Sequence, residues 1–209
     1  VPSSALVSAA HRAQRARTAA DFGIAATPTI DFDKVRAHVG SVIASIAPHD
    51  SRERFEGLGV RVINAAARFV DRATVVAGDV EVRARRFIVA TGSAPDIPPF
   101  PGLGQTPFLT NDSIFAVETL PAHLVVIGAG SVGLVLAQAF SRLGSRVSVI
   151  DAGRPLAKDD PECVDIVLSA LAAEGVALHD GAIVTGIRGD AARVEVSIMR
   201  EGAARTVAG

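Results

Sequence analysis

Apolar residues in the first quarter of the chain recur at helical spacing, which predicts two amphipathic helices. The first covers residues 3–20, and its N-cap is one of two serines, Ser3 or Ser4. The second stops before Pro48, because proline disfavours helix in the residue before it. Its start lies near one of two acidic residues, Asp31 or Asp33.

The spacing then changes from helix to strand. A short third helix is expected over residues 50–58. Beyond it, short runs of β-branched residues predict a small antiparallel sheet that leads into a buried strand. The predicted strands are residues 60–63, 74–76, 80–82 and 87–90.

The most informative pattern begins with a continuous apolar run at residues 124–127, which is typical of a buried parallel strand. Gly128, Gly130 and Gly133 follow as GxGxxG at the entry to an amphipathic helix, and a second strand is expected at residues 146–150. A strand, a glycine-rich turn, a helix and a second strand together predict a dinucleotide-binding βαβ unit. The alternative is a glycine-rich turn with a purely structural role.

Each glycine has a separate role in such a unit. Gly128 permits the tight turn, Gly130 allows a pyrophosphate to approach the backbone, and Gly133 allows close packing of helix on strand. The anion then lies on unpaired helix N–H groups. Three further residues of the loop are predicted to contact the nucleotide: Ala129, Ser131 and Val132.

Asp151 ends the second strand, 18 residues after the last glycine. A carboxylate there accepts hydrogen bonds from the adenosine ribose hydroxyls and repels a 2′-phosphate, which favours NAD over NADP. Arg154 has two interpretations, a partner for a 2′-phosphate or a solvated loop arginine, and the second is favoured.

The proline-rich residues 95–104 predict a linker and a domain boundary. Residues 110–117 form a turn or short helix capped by Asn111 or Asp112, and a helix is expected from about Pro161 to Glu174. No clear strand is expected to close the chain before Gly209. Further strands are expected near Val176, near Ile183 and at residues 194–198.

Composition narrows the function classes. The 209 residues include 21 basic and 22 acidic side chains, for a formal net charge of −1, so nothing indicates binding to nucleic acid or to an anionic membrane. No apolar run reaches the roughly 18 residues that span a bilayer, and no leader pattern opens the chain. These features predict a cytoplasmic protein.

Cys163 is the only cysteine, which excludes an internal disulfide, a CxxC pair and a cysteine-based zinc site within this chain. We expect it to be a small, buried or half-buried residue near a helix start, although a helix N-terminus can also lower a thiol pKa. The five histidines have no ligand spacing. No residue is predicted to be catalytic or to bind a metal.

Three further segments resemble one family, the FAD-dependent pyridine nucleotide-disulfide oxidoreductases, which include dihydrolipoamide dehydrogenase and mercuric reductase. The opening VPSSAL is similar to the VPSKAL that follows the family's second redox cysteine, and FIVATGSAP, residues 87–95, is similar to its flavin-contacting ATG motif. AAARF, residues 65–69, resembles the GxARF segment near the flavin adenine, with Ala65 in place of glycine. Residues 46–63 look most like the mercuric reductase branch.

The resemblance implies an α/β fold with two parts. A partial FAD-binding domain of helices and a small antiparallel sheet covers residues 1–100. A Rossmann-like NAD(P)-binding βαβ domain, incomplete at its carboxy-terminal end, covers residues 101–209. The implied cofactors are FAD, held in the complete protein, and NAD, with NADP less favoured. Beyond the glycine loop and Asp151, the implied cofactor-binding residues are Ser4, Ala65, Ala67, Thr91, Gly92, Val135 and Val184.

The chain also departs from the family pattern. Where this chain has Ser3–Ser4, the family often has a lysine, and where this chain has Val135, the family often has a glutamate. In the family, that lysine and that glutamate form an ion pair beside the flavin and the nicotinamide. Losing both is tolerable because losing one would leave an unpaired buried charge, at a cost of about 3–5 kcal/mol. The redox cysteines, the first GxGxxG and the carboxy-terminal dimerisation domain lie outside the sequence. We therefore expect an internal segment of a longer, homodimeric protein.

Two functions follow as hypotheses. In the first, the segment belongs to a flavoenzyme that transfers hydride from NAD(P)H to FAD and then electrons to a disulfide or metal substrate. In the second, it is a nucleotide-binding or structural remnant without redox chemistry.

Overall fold

The protein is described by a computed structural model that covers residues 2–209, so Val1 of the VPSSAL segment lies outside the described residues. Helices and strands alternate irregularly along the chain, which makes it a mixed α/β protein. The α-helices are α1 Pro2–Arg17, α2 Phe32–Ile46, α3 Arg52–Gly57, α4 Ser131–Leu143 and α5 Pro161–Ala173. Within residues 2–209, none of these helices combines the length and the apolar character that a membrane span requires.

Helix starts agree with the predictions except at α1. Pro2 occupies the first position of α1, where its fixed φ suits a helix, so Ser3 and Ser4 lie in the first turn and neither is the N-cap. Asp31 caps α2 by accepting a hydrogen bond from the Lys34 amide at 3.1 Å. Helix α1 also ends earlier than predicted, and a 3-10 helix continues it over Thr18–Phe22.

The described strands form three sheets of three strands each. The first is antiparallel, as predicted, but one of its strands, residues 67–69, is not among the predicted strands. The second is parallel, and the third is antiparallel. The first contains β1 Ala67–Phe69, β2 Thr74–Ala77 and β3 Val80–Arg83. The second contains β4 His123–Ile127, β5 Arg146–Ile150 and β6 Ala177–His179. The third contains β7 Ile183–Gly189, β8 Val194–Arg200 and β9 Ala203–Ala208.

Two predicted strands are not formed. Residues 60–63 and 87–90 have no regular structure, and the side chains of Ile88 and Val89 are 95% and 69% exposed. Among residues 2–209, no strand pairs with either segment. An apolar run predicts burial, but a strand also needs a neighbour for its N–H and C=O groups, and these segments have none here.

Strand β9, in contrast, is not predicted by the sequence pattern. It pairs with β8 from Arg200↔Ala203 to Glu195↔Ala208. The two connecting residues, Glu201 and Gly202, have φ of +52° and +76°, as a type I′ hairpin turn requires. The two-residue Glu-Gly step was the available signal for this hairpin.

Contacts divide the chain into two compact units. The first comprises the described residues up to Val42 together with Pro95–Gly209, and the second is Ile43–Ala94. In the first unit, α1 packs on α4 through small and apolar side chains around the fully buried Phe140. In the second unit, Thr74 and Ala77 of β2 are buried. The functional division at residue 100 stays a prediction.

A short turn precedes the parallel sheet. Its 3-10 helix covers Ile114–Ala116. The N-cap of this helix is Ser113, and no side chain caps it, so the predicted capping by Asn111 or Asp112 is wrong. In the turn before the helix, Thr110 Oγ1 accepts from the amides of Asp112 and Ser113 at 3.3 and 3.4 Å.

Candidate functional site

The turn from β4 into α4 has the predicted geometry. Strands β4 and β5 are parallel, and Ile127 lies opposite Ile150. The Gly128 amide donates to the Ile150 carbonyl at 2.8 Å, which ties the turn to the neighbouring strand. Gly128 has φ of +110°, a conformation that residues with a Cβ rarely adopt. The β4–α4–β5 prediction is therefore confirmed as local structure.

The other two glycines differ in what surrounds them. A Cβ on Gly133 would lie 2.1 Å from the Gly128 carbonyl oxygen, so only glycine permits this approach of helix to loop. A Cβ on Gly130 would meet nothing within 4 Å. Gly133 thus serves packing, whereas Gly130 leaves open space at the surface of the loop.

The N-terminus of α4 faces that space. Gly130 is its N-cap, and no side chain caps the helix. The amides of Ser131 and Val132 are in the first turn, where helix N–H groups lack intrahelical partners, and the Val132 side chain is 57% exposed. Unpaired amides and the helix dipole together favour an anion at this position.

Asp151 lies beside the loop, as predicted, but its carboxylate already has partners. Oδ2 accepts from the Ala129 amide at 2.6 Å, and Oδ1 accepts from the Gly153 amide at 2.8 Å. Each carboxylate oxygen retains a further lone pair, so ribose hydroxyls can still be accepted. The contact with Ala129, a residue buried to 1% exposure, was not predicted.

Arg154 has its own acidic partner. Its Nη2 lies 3.1 Å from Oδ1 of Asp165, and both side chains are more than half exposed. The favoured interpretation of Arg154 as a solvated loop arginine agrees with this geometry.

A surface groove of about 550 Å³ lies between α1 and α4. It is lined by Ser3 and Ser4 from the first turn of α1 and by Val135 from α4, so the structure brings together the two positions at which the family often has an ion pair. Both positions are neutral in this chain. His11 and Arg12 line the groove further along α1.

The remaining predicted cofactor contacts lie elsewhere. Four of them belong to the second unit and are exposed: Ala65, Ala67, Thr91 and Gly92. They form no enclosed flavin site within the described residues, so the flavin contact stays a prediction. Val184 lies on β7 and packs against the apolar cluster that contains Ile150 and Val196.

Cys163 is exposed, so its predicted burial is wrong. Its amide lies 3.5 Å from Oδ1 of Asp160, the N-cap of α5. Position 163 lies on the outer face of α5, whereas Val164 and Leu171 point into the core. Within residues 2–209, no three or more His, Cys, Asp or Glu side chains are grouped so as to hold a metal ion.

One polar cluster escaped sequence reasoning. Arg142 of α4 donates two hydrogen bonds to the Glu174 carboxylate, at 2.7 and 2.6 Å, and both side chains are about 15% exposed. Gln138 donates to the same carboxylate at 3.2 Å, and Arg142 also contacts His11 of α1 at 3.5 Å. These bonds hold the carboxy-terminal half of α4 in place. No local motif signals a pair 32 residues apart.

Comparison with known proteins extends these findings. The family model for pyridine nucleotide-disulphide oxidoreductases matches residues 1–207. Mercuric reductase of Streptomyces lividans is 32% identical over 197 residues, which cover 91% of this chain and 42% of that protein. Mercuric reductase of Shigella flexneri is 33% identical, with 86% and 33% covered.

A solved structure has the same fold. The Cu(II) complex of RclA, an HOCl-induced flavoprotein disulfide reductase from Escherichia coli, matches with a TM-score of 0.76 and 23% identity, over 99% of this chain and 44% of that one. The chain thus spans less than half the length of these relatives. The match over almost the entire chain shows that it belongs to the pyridine nucleotide-disulphide oxidoreductase family.

Proposed function

We propose that this chain is the part of a flavoprotein oxidoreductase that binds a nicotinamide dinucleotide, in a parent protein that passes hydride to FAD and electrons to a disulfide or metal substrate. The observation that carries the proposal is the open glycine loop between β4 and α4, with Asp151 beside it. Family membership supports the redox class, since oxidoreductases of this type match the chain.

The loop residues fit the dinucleotide. A pyrophosphate at Gly130 meets no side chain and faces the amides of Ser131 and Val132, while the adenosine ribose lies toward Asp151. When bound, the nicotinamide supplies a hydride. The residues of this chain bind and orient the nucleotide, and the end of the groove at the neutral positions Ser4 and Val135 is the proposed location of its nicotinamide end.

We propose NAD as the preferred nucleotide. The Asp151 carboxylate repels a 2′-phosphate, and the nearest predicted cation, Arg154, is paired with Asp165. A phosphate would therefore have to compete with a carboxylate for Arg154 while lying close to another carboxylate.

For FAD, we propose peripheral contacts at Ala65, Ala67, Thr91 and Gly92. Gly92 has φ of +71°, and a Cβ there would meet nothing within 4 Å, so the backbone is open to a flat ligand. Because these residues enclose no site within the described chain, we expect the isolated chain to retain FAD poorly. Stoichiometric FAD in the purified chain would contradict this expectation.

The test is calorimetry with NADH and NADPH. We expect the chain to bind NADH more tightly than NADPH, and Gly130→Val to abolish binding of both, because the new side chain occupies the space of a phosphate. Gly104→Val is the matched control, since a Cβ at Gly104 also meets nothing within 4 Å but lies outside the loop. If Gly130→Val binds NADH as the unmodified chain does, the nucleotide does not bind at this loop.

A second function also has a specific observation in its favour. The chain contains a single cysteine, and that cysteine is exposed on α5. A nucleotide-binding segment without redox chemistry of its own satisfies this composition. The colour of the complete parent protein separates the two functions: flavin absorbance would support the first, and a colourless parent protein that binds NADH would support the second.

A further inference from the structure

We propose that Asp151 is a positioning residue that holds the glycine loop in its nucleotide-binding shape before any nucleotide binds. The proposal rests on the proposed nucleotide site and adds a role to Asp151 beyond acceptance of ribose hydroxyls. Hydrogen bonds of Asp151 connect the loop after β4 with the loop after β5.

The carboxylate joins these two loops directly. The 2.6 Å contact from the Ala129 amide to Oδ2 is short for an N–H donor, and a bond to an ionised acceptor is about twice as strong as one between neutral groups. The Gly153 amide occupies Oδ1 at 2.8 Å. Both carboxylate oxygens of Asp151 therefore accept a backbone amide, one from the loop after β4 and one from the loop after β5.

The backbone of Asp151 is itself fixed. Its amide donates to the His179 carbonyl at 3.0 Å, and its carbonyl accepts from the Ala182 amide at 2.9 Å. A carboxylate on a backbone held from both sides is a fixed anchor. The Ala129 amide is thus held by the sheet through Asp151.

The carbonyl and the side chain of Ala129 are also fixed. Its carbonyl accepts from the Leu156 amide at 3.1 Å, and its side chain is buried. Because Ala129 lies between Gly128 and Gly130, fixing both of its backbone groups fixes the direction in which the chain enters α4. The first-turn amides of α4 are then aligned before a ligand binds, so the free energy of binding does not include the cost of ordering this loop.

A ribose acceptor and a loop anchor predict different responses to a changed ligand. If Asp151 only accepts ribose hydroxyls, its removal leaves the affinity for a nucleotide without those hydroxyls unchanged. If Asp151 holds the loop, its removal weakens both nucleotides, since both use the same amides for their pyrophosphate.

The experiment measures binding of NADH and of its 2′,3′-dideoxyadenosine analogue to the unmodified chain, Asp151→Ala and Asp151→Asn. We expect Asp151→Ala to weaken the analogue about tenfold, the effect of one lost charge-assisted hydrogen bond. Asp151→Asn should recover part of the loss, because its amide oxygen can still accept from Ala129. Asp165→Ala is the control, a nearby carboxylate whose removal frees Arg154 but leaves the Ala129 bond intact.

A second readout needs no nucleotide. In ¹⁵N-resolved spectra, the Ala129 amide proton should resonate at low field and exchange slowly in the unmodified chain, and should lose both properties in Asp151→Ala. Unchanged analogue affinity, or an unchanged Ala129 resonance, in a folded Asp151 variant would overturn the anchor role. If the unmodified chain binds no NADH, the proposed function fails, and the Ala129 resonance alone decides the anchor role.

Discussion

Replacing Gly133 by alanine should destabilise the fold more than the same change at Gly130. A Cβ at residue 133 would lie 2.1 Å from the Gly128 carbonyl oxygen, and ordinary van der Waals contact begins near 3.4 Å. The two groups must therefore separate by about 1.3 Å, and the obstacle is backbone rather than a flexible side chain. At Gly130 the new methyl group enters open space, and φ of −74° is acceptable to alanine.

The expected magnitude follows from two opposing effects. Overpacking of this kind costs about 1–3 kcal/mol. Alanine in place of glycine within a helix returns up to about 1 kcal/mol. We therefore expect Gly133→Ala to lower the free energy of unfolding by about 1–2 kcal/mol. Gly130→Ala should lower it by less than about 1 kcal/mol, because alanine is less favourable than glycine at an N-cap.

Urea unfolding followed by far-ultraviolet circular dichroism measures both changes, since the chain has no Trp or Tyr for intrinsic fluorescence. Calorimetry with NADH on the same proteins separates folding from binding. Gly130→Ala should fold normally and bind NADH weakly. Equal stability of Gly133→Ala and the unmodified chain would refute the close approach of Gly133 to Gly128, and with it the loop geometry from which the nucleotide site is argued.

Two further predictions concern stability. Glu174→Gln should lower the free energy of unfolding in urea by about 3 kcal/mol, because it leaves the largely buried Arg142 guanidinium without a charged partner. Glu56→Gln in the exposed Arg52–Glu56 pair should lower it by less than about 1 kcal/mol, and equal losses would contradict the burial of the first pair. Desolvation and the nearby Arg146 lower the pKa of His123 below its ordinary 6.5. Between that lowered pKa and 6.5, the unfolded chain therefore binds more protons than the folded chain, and the stability of the fold decreases as the pH decreases through this range. Between about pH 7.5 and pH 5.5, the free energy of unfolding should depend less steeply on pH in His123→Gln than in the unmodified chain. An unchanged pH dependence would refute this assignment to His123.

Local spacing was enough to predict the central elements of the fold and the site. The apolar run before Gly128, the three glycines and the apolar face of the next helix identify β4, α4 and β5, because each element depends on neighbours a few residues away in the chain. Capping is similarly local, and Asp31, one of the two predicted starts, caps α2. The same locality accounts for the prediction of Asp151 beside the loop, since β5 must run parallel to β4.

Tertiary structure decided what depends on partners distant in sequence. Residues 87–90 have the composition of a buried strand, yet Phe87 is only half-buried and residues 88–90 are exposed, because no strand of the described chain provides hydrogen-bonding partners. Ser4 and Val135 share a groove only because α1 packs on α4. Asp151 binds the Ala129 amide because the loops after β4 and β5 meet at the same end of two parallel strands. Residues that are distant in sequence are close in space there. The sequence by itself determined the strand, glycine loop and helix of the candidate site and the acidic residue that follows β5, and packing determined which of these residues are bonded to each other.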